Sequence, residues 1–225
     1  MSSRFADLRA GGQALAAAIT GRRAYDTAPL VVGIPRGGVP VAAEVAEALG
    51  AGLDALVVRK LGVPGQPEVA MGAVLADGRS VLNPSVVRGA GIPEAEVAEV
   101  LAAELAHARD LEARWRPDRP PLDFAGRDLV VCDDGLATGA TMRAALLALL
   151  EADPPPRSIV VGLPVAPREG VEVLRSALRS EVDDVVAVRT PLLFRAVSWA
   201  YDDFTPPTDE EIRAILSGTR GRPIA

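Results

Sequence analysis

Residues 129–141 read LVVCDDGLATGAT. Four apolar residues, Leu129 to Cys132, have the pattern of a short buried strand. Asp133 and Asp134 follow. Then comes Gly135-Leu136-Ala137-Thr138-Gly139-Ala140-Thr141, small and hydroxyl-rich, and a helical stretch from Met142 to Glu151. A helix start offers free N–H groups and a partial positive charge to an anion. The glycines let the backbone approach a ligand, and the threonines add hydroxyl donors. A phosphate suits that loop. Carboxylates repel a phosphate, so Asp133 and Asp134 suit hydroxyl groups a few ångströms away, or an indirect share in a divalent cation. A ribose carrying a 5-phosphate meets both demands. The plain alternative is a strand-to-helix connection with an acidic tip.

Upstream, Leu30 to Ile34 reads as another buried strand, ended by Pro35-Arg36-Gly37-Gly38 and followed by a helix over Val39 to Leu49. Gly37 and Gly38 expose backbone N–H groups and Arg36 adds a permanent charge, so this is a second anion cradle. Leu53 to Val58 is expected as one strand. Arg59 and Lys60 stand at its end, where two cations could meet a diphosphate or simply snorkel at the surface. Leu61 to Glu68 contains two glycines and two prolines and is expected to be a mobile loop. Asp77-Gly78 between apolar runs signals a hairpin over Ala73 to Leu82. Glu94 to Trp115 is a long helix with Val97, Leu101, Leu105 and Leu111 on one stripe. It carries His107, the only histidine; with no second histidine and no paired cysteine, a surface or packing role is expected for it rather than metal ligation.

Downstream, Ser158 to Leu163 and Val185 to Val188 read as strands, with a helix from Arg168 to Leu178 between them. An N-terminal helix is expected over Ser3 to Ile19, weakened by Gly11 and Gly12. Thr208 to Glu211 resembles a capping box. Phe194, Trp199, Tyr201 and Phe204 cluster in a chain that is only 4% aromatic. They either pack the last helix onto the core or cover a flat ligand ring. The alternation of strands and helices from Leu30 onward gives an α/β class with a mainly parallel, doubly wound sheet. Ligands of such sheets sit beyond the carboxyl ends of the strands, where strand order reverses. Arg36, Lys60 and Asp133 would then share one edge.

The composition narrows the function. At 225 residues and 49% apolar, the chain is long enough for a sizeable core. A net charge of −6 with no basic cluster disfavours nucleic acid as a partner. No apolar run is long enough to span a membrane, and the first residues lack an apolar signal core. The single Cys132 excludes an internal disulfide and fits a reducing, cytoplasmic setting. Of 24 basic residues, Lys60 is the only lysine. No GxGxxG follows a strand and no GxSxG occurs, which weighs against a nicotinamide dehydrogenase and a serine hydrolase.

An apolar strand, two acids and a loop ending Thr-Gly-x-Thr resemble the signature of the type I phosphoribosyltransferases. With VVGIPRGGVPVA and VRKLGVPGQPEVAMGAV, the chain resembles members of that family whose acceptor is unassigned. The resemblance implies one domain over 1–225, with a core at about 28–190. A small hood would come from the chain ends (tail about 191–225), the hairpin and the long helix. It implies transfer of a phosphoribosyl group from 5-phosphoribosyl diphosphate to a nitrogenous base, release of pyrophosphate, a Mg²⁺ requirement and room for a homodimer. Asp133, Asp134, Gly135, Ala137, Thr138, Gly139, Ala140 and Thr141 would bind the ribose phosphate. Gly37, Gly38 and Arg59 would join them at the diphosphate, and Lys60 and Arg36 would act on the leaving group. Asp133 and Asp134 would reach the metal through ribose or water, and Phe194, Trp199 and Tyr201 would cover the base. Members often carry a non-proline cis peptide in the Arg36 loop. Hypoxanthine-guanine enzymes place an acid where this chain has Ala137, so a 6-oxopurine acceptor is not implied. Glu68 is a replacement acid. A regulatory protein that binds the sugar phosphate without turnover is the alternative from another class.

Overall fold

The structure is a computed structural model that describes residues 4–117, 119–178 and 182–218. In chain order the elements begin with α1 (Leu8–Thr20), β1 (Leu30–Gly33), α2 (Gly38–Leu49) and β2 (Gly52–Ala55). An insertion follows: β3 (Val58–Val63), β4 (Gln66–Leu75), β5 (Ser80–Leu82), α3 (Pro84–Gly89) and α4 (Glu94–Trp115). The core resumes with β6 (Asp128–Cys132), α5 (Ala140–Leu150), β7 (Ser158–Val165), α6 (Arg168–Ala177) and β8 (Asp184–Arg189). A 3₁₀ turn (Val197–Ala200) and α7 (Asp209–Gly218) complete it.

Five strands form one parallel sheet in the order β2-β1-β6-β7-β8. All of β1, β6 and β7 is buried, as a parallel sheet covered on both faces requires. Side chains alternate between the two faces. Val31, Val130, Cys132, Val160 and Val186 pack with α1 and α2, whereas Val32, Leu129, Val131, Ile159 and Val161 pack with α5 and α6. The chain leaves β1 toward β2 on one side, and its later strands build outward from β6 on the other. The order therefore reverses between β1 and β6, the doubly wound arrangement whose crevice takes ligands.

Several expectations need correction. The first helix starts at Leu8, not Ser3: the Asp7 carboxylate accepts from Ala10 N at 2.8 Å and caps it, and Phe5 instead forms a bridge with Tyr201. Ser3 itself lies outside the described residues. Gly11 and Gly12 do not weaken this helix so much as let it dock. A Cβ on Gly12 would lie 2.8 Å from the Val41 carbonyl oxygen on α2, and one on Gly11 would lie 3.0 Å from the Tyr201 ring.

Leu53 to Val58 is not one strand. The chain leaves the large sheet after Ala55 and enters a separate antiparallel sheet, β3-β4-β5, at Val58. Arg59 and Lys60 thus lie inside β3, and residues 61–68, expected as a loop, belong to a β-hairpin. Gly65 turns it with φ +76°, pairing Val63 with Gln66. Register irregularities on either side of Gly62 absorb the chain opposite Pro67, whose carbonyl oxygen would sit 2.9 Å from a Cβ on Gly62. The second hairpin, at Asp77-Gly78, is present with Gly72 opposite Leu82. The long helix spans Glu94–Trp115 as read, with Val97, Leu101 and Leu105 against the small sheet. The short α3, capped by Asn83, had not been anticipated.

Both ends of the described chain close on the core. Phe5 N donates to the Ala200 carbonyl oxygen at 2.8 Å, and Asp202 N donates to that of Phe5 at 2.8 Å. The expected capping box is formed: Glu211 N donates to Thr208 Oγ1 at 3.2 Å, and Thr208 N donates to Glu211 Oε2 at 2.7 Å. The last part of the expected hood, residues 219–225, lies outside the described residues.

Candidate functional site

The carboxyl ends of β1 and β6 are adjacent, with Gly33 opposite Cys132. Their loops consequently touch. Ile34 N donates to the Cys132 carbonyl oxygen at 2.9 Å. A Cβ on Gly37 would fall 1.9 Å from Asp134 Oδ2, and one on Gly38 would fall 2.7 Å from the Cys132 carbonyl oxygen. Gly37 has an ordinary helical φ of −63°, so it is space that a side chain would lack there. The peptide bond joining Pro35 to Arg36 is cis.

The loop after β6 is held from below. Leu136 N donates to the Val165 carbonyl oxygen at 2.9 Å, and the Tyr201 hydroxyl donates to the Asp134 carbonyl oxygen at 2.5 Å. Gly139 precedes α5 with φ +73°, a conformation that favours glycine. Thr138 and Ala137 are exposed. Among the described residues neither Asp133 nor Asp134 has an ion-pair partner. Burial pushes the Asp134 carboxyl up to about 6. Burial, followed by the Asp134 charge, raises Asp133 well above the usual carboxylate range. Asp133 Oδ1 accepts one bond, from Asp134 N at 2.9 Å. Two uncompensated acids at the mouth of a sheet call for hydroxyl donors or a cation.

The anticipated cations are placed differently. The Arg36 guanidinium turns toward the C-terminal segment. It meets Asp209 at 2.8 Å and the Pro207 carbonyl oxygen at 3.1 Å, and lies 5.4 Å from the centre of a Trp115 ring. Arg59 is committed to Glu104 of α4 at 2.7 Å. Lys60 faces Glu68 across the hairpin at 3.7 Å, and the Glu68 side chain is almost fully exposed. His107 is a surface residue 3.7 Å from Glu104.

The tail reaches the loop through Val197, whose Cγ1 would lie 2.6 Å from a Cβ on Gly135. Beside that contact, past the ends of β7 and β8, a cavity of about 430 Å³ opens. Val165, Phe194, Trp199, Arg4, Arg189 and Arg195 are among its lining residues. Of the three aromatics anticipated as a cover, Phe194 and Trp199 line this cavity. Tyr201 is buried between Phe5 and Phe204, with ring centres 5.5 and 5.3 Å away, beneath the acid loop rather than in the cavity wall. Sequence reasoning missed the three arginines. Their one available signal was position: Arg189 ends a core strand at the ligand edge.

No group of three or more potential metal-ligating side chains occurs among the described residues. A pair of carboxylates does fit Mg²⁺, which binds through one or two carboxylates while keeping waters and substrate oxygens. No helix of the described residues is long and apolar enough to cross a membrane.

The phosphoribosyl transferase domain matches residues 2–194. Two Mycobacterium tuberculosis proteins, from strains CDC 1551 and H37Rv, each named "Putative phosphoribosyl transferase", are 44% identical over 191 residues. That alignment covers 84% of this chain and 41% of each relative, so the chain spans about two fifths of their length. The crystal structure of TT1426 from Thermus thermophilus is 43% identical, with a TM-score of 0.83 over 97% of this chain and 100% of that one. With the domain matched across most of its length and its signature loops meeting at the sheet's switch point, the chain belongs to the phosphoribosyl transferase family.

Proposed function

We propose that the chain transfers a 5-phosphoribosyl group from 5-phosphoribosyl diphosphate to a nitrogenous acceptor, releasing pyrophosphate. The observation that carries this reading is the contact between the two loops: Gly37 has no room for a side chain because Asp134 occupies it. A phosphate on the Gly135–Thr141 loop and a diphosphate on the Arg36–Gly38 loop would be two ends of one sugar. Asp133 and Asp134 then accept from the ribose hydroxyls. Backbone N–H groups of residues 137–141 anchor the 5-phosphate and orient the ring.

In the reaction the bond from the anomeric carbon to the diphosphate oxygen breaks, and its electron pair leaves with pyrophosphate. The acceptor nitrogen supplies the pair for the new bond; where that nitrogen carries a proton, the Glu68 carboxylate of the hairpin would take it. Negative charge grows on the leaving group, where the Gly37 and Gly38 backbone and Lys60 would stabilise it, joined by Arg36 and Arg59 on release from Asp209 and Glu104. Mg²⁺ would supply further charge neutralisation at the diphosphate oxygens. Phe194 and Trp199 would face the acceptor. This reading takes residues 1–225 as one unit working in the cytoplasm.

One observation favours a second reading, a sugar-phosphate sensor without turnover. Arg36 is already occupied by Asp209 and the Pro207 carbonyl. Pyrophosphate release, measured with the donor, Mg²⁺ and a panel of bases, separates the two. Release with at least one base supports transfer, whereas donor binding without release for every base supports the sensor.

A further inference from the structure

The cavity past β7 and β8 is basic in an acidic protein. Arg4, Arg189 and Arg195 line it, and among the described residues no carboxylate does. Several of the described arginines are neutralised: Arg59 by Glu104, Arg116 by Asp54, Arg157 by Asp128 and Arg36 by Asp209. Arg189 and Arg195 are not. Among the described residues their recorded partners are aromatic faces. The Arg189 guanidinium lies 3.6 Å from the Phe5 ring centre, and that of Arg195 lies 4.9 Å from the centre of a Trp199 ring. A guanidinium stacked on a ring keeps its in-plane N–H donors free for a planar anion. Arg4 is loosely held, 3.8 Å from Asp202, with both side chains more than half exposed.

We infer that the acceptor is a nitrogen heterocycle bearing an anionic substituent, a carboxylate or its equivalent, recognised by Arg189 and Arg195. This rests on the transferase reading above, which places the acceptor in this cavity. The volume, about 430 Å³, suits a single substituted ring. Phe194 and Trp199 supply flat apolar walls, Val165 joins the cavity to the acid loop at Gly135, and the arginines supply the charge. A neutral ring would leave both guanidinium groups without an anion, and an anionic one would engage both.

The test uses the full chain with nicotinate and nicotinamide, which share a ring and differ in charge. Orotate and uracil serve as a second pair. Binding is measured by titration calorimetry with Mg²⁺ and either no donor or saturating 5-phosphoribosyl diphosphate. At least one carboxylate should bind about tenfold or more tightly than its neutral partner. Arg195→Gln should erase that preference, and Arg195→Lys should restore part of it. Arg195 is exposed, so its replacement leaves the fold in place; Arg189→Gln should act likewise, with loss of its packing on Phe5 seen separately as a lower Tm. Equal affinity within both pairs, no binding by any of the four rings, or a carboxylate preference that survives both glutamine variants would overturn the inference. Failure of the donor itself to bind would instead strike at the transferase reading.

Discussion

Asp134 carries opposing demands. Burial lifts its carboxyl from 3.8 to about 6, so between those values the folded chain holds a proton that the unfolded chain has released. The resulting stability is fully present below about pH 4 and is lost as the pH rises through 6. At neutral pH the Asp134 carboxylate of the ligand-free protein is therefore ionised, with no ion-pair partner among the described residues. Asp134→Asn should raise the stability of the ligand-free protein at pH 7.5 by on the order of 1–3 kcal/mol, a gain that fades toward pH 4. The same change should weaken 5-phosphoribosyl diphosphate binding about tenfold or more. Thermal melts across pH, paired with calorimetry, check both, and wild-type affinity in the variant would refute the diol role. Lys60→Ala should reduce pyrophosphate release by tenfold or more while leaving ribose 5-phosphate affinity within about twofold. Unchanged turnover would remove Lys60 from the reaction. Acids and glycines of the two loops were legible in the sequence because their chemistry is dense and local. The cavity arginines were not: with Lys60 the only lysine among 24 basic residues, an arginine carries no contrast, and its meaning comes from which carboxylates fail to reach it.

Elements were legible where hydrophobic period and punctuation agreed. The stripe of α4 has a full helical period and ends at proline-rich residues, so its bounds were read as they stand. The β3–β4 hairpin was not legible, because two glycines and two prolines masked a strand pair that keeps its ladder by shifting register at Gly62. Leaving the large sheet at Leu56 was also hidden, since Leu53 to Val58 is apolar almost without a break while its two halves belong to different sheets. What fastens the insertion's return is a buried ion cluster. Asp54 of β2 accepts from Arg116 at 2.6 and 2.9 Å and lies 3.1 Å from Arg119 Nη1. Arg116 is 5% exposed, so removing its partner strands a buried charge. Asp54→Asn should destabilise the protein by roughly 3 kcal/mol in chemical denaturation. A change below about 0.5 kcal/mol would show that Glu112 alone suffices for Arg116.

For the whole molecule, the fold explains why residues about a hundred positions apart in sequence serve one ligand. Strand order reverses between β1 and β6, so both loops open on the same crevice, and Phe5 and Tyr201 bridge the N-terminal segment to the tail beside it. Binding a ligand that bridges the loops should therefore stabilise the molecule as a unit. The most direct measurement titrates the protein and Mg²⁺ with 5-phosphoribosyl diphosphate, ribose 5-phosphate and pyrophosphate, singly and in competition. The account predicts one donor per chain, bound at least tenfold more tightly than either half, with each half displacing it. Donor binding no stronger than that of one half, or pyrophosphate and donor bound together on one chain, would contradict it.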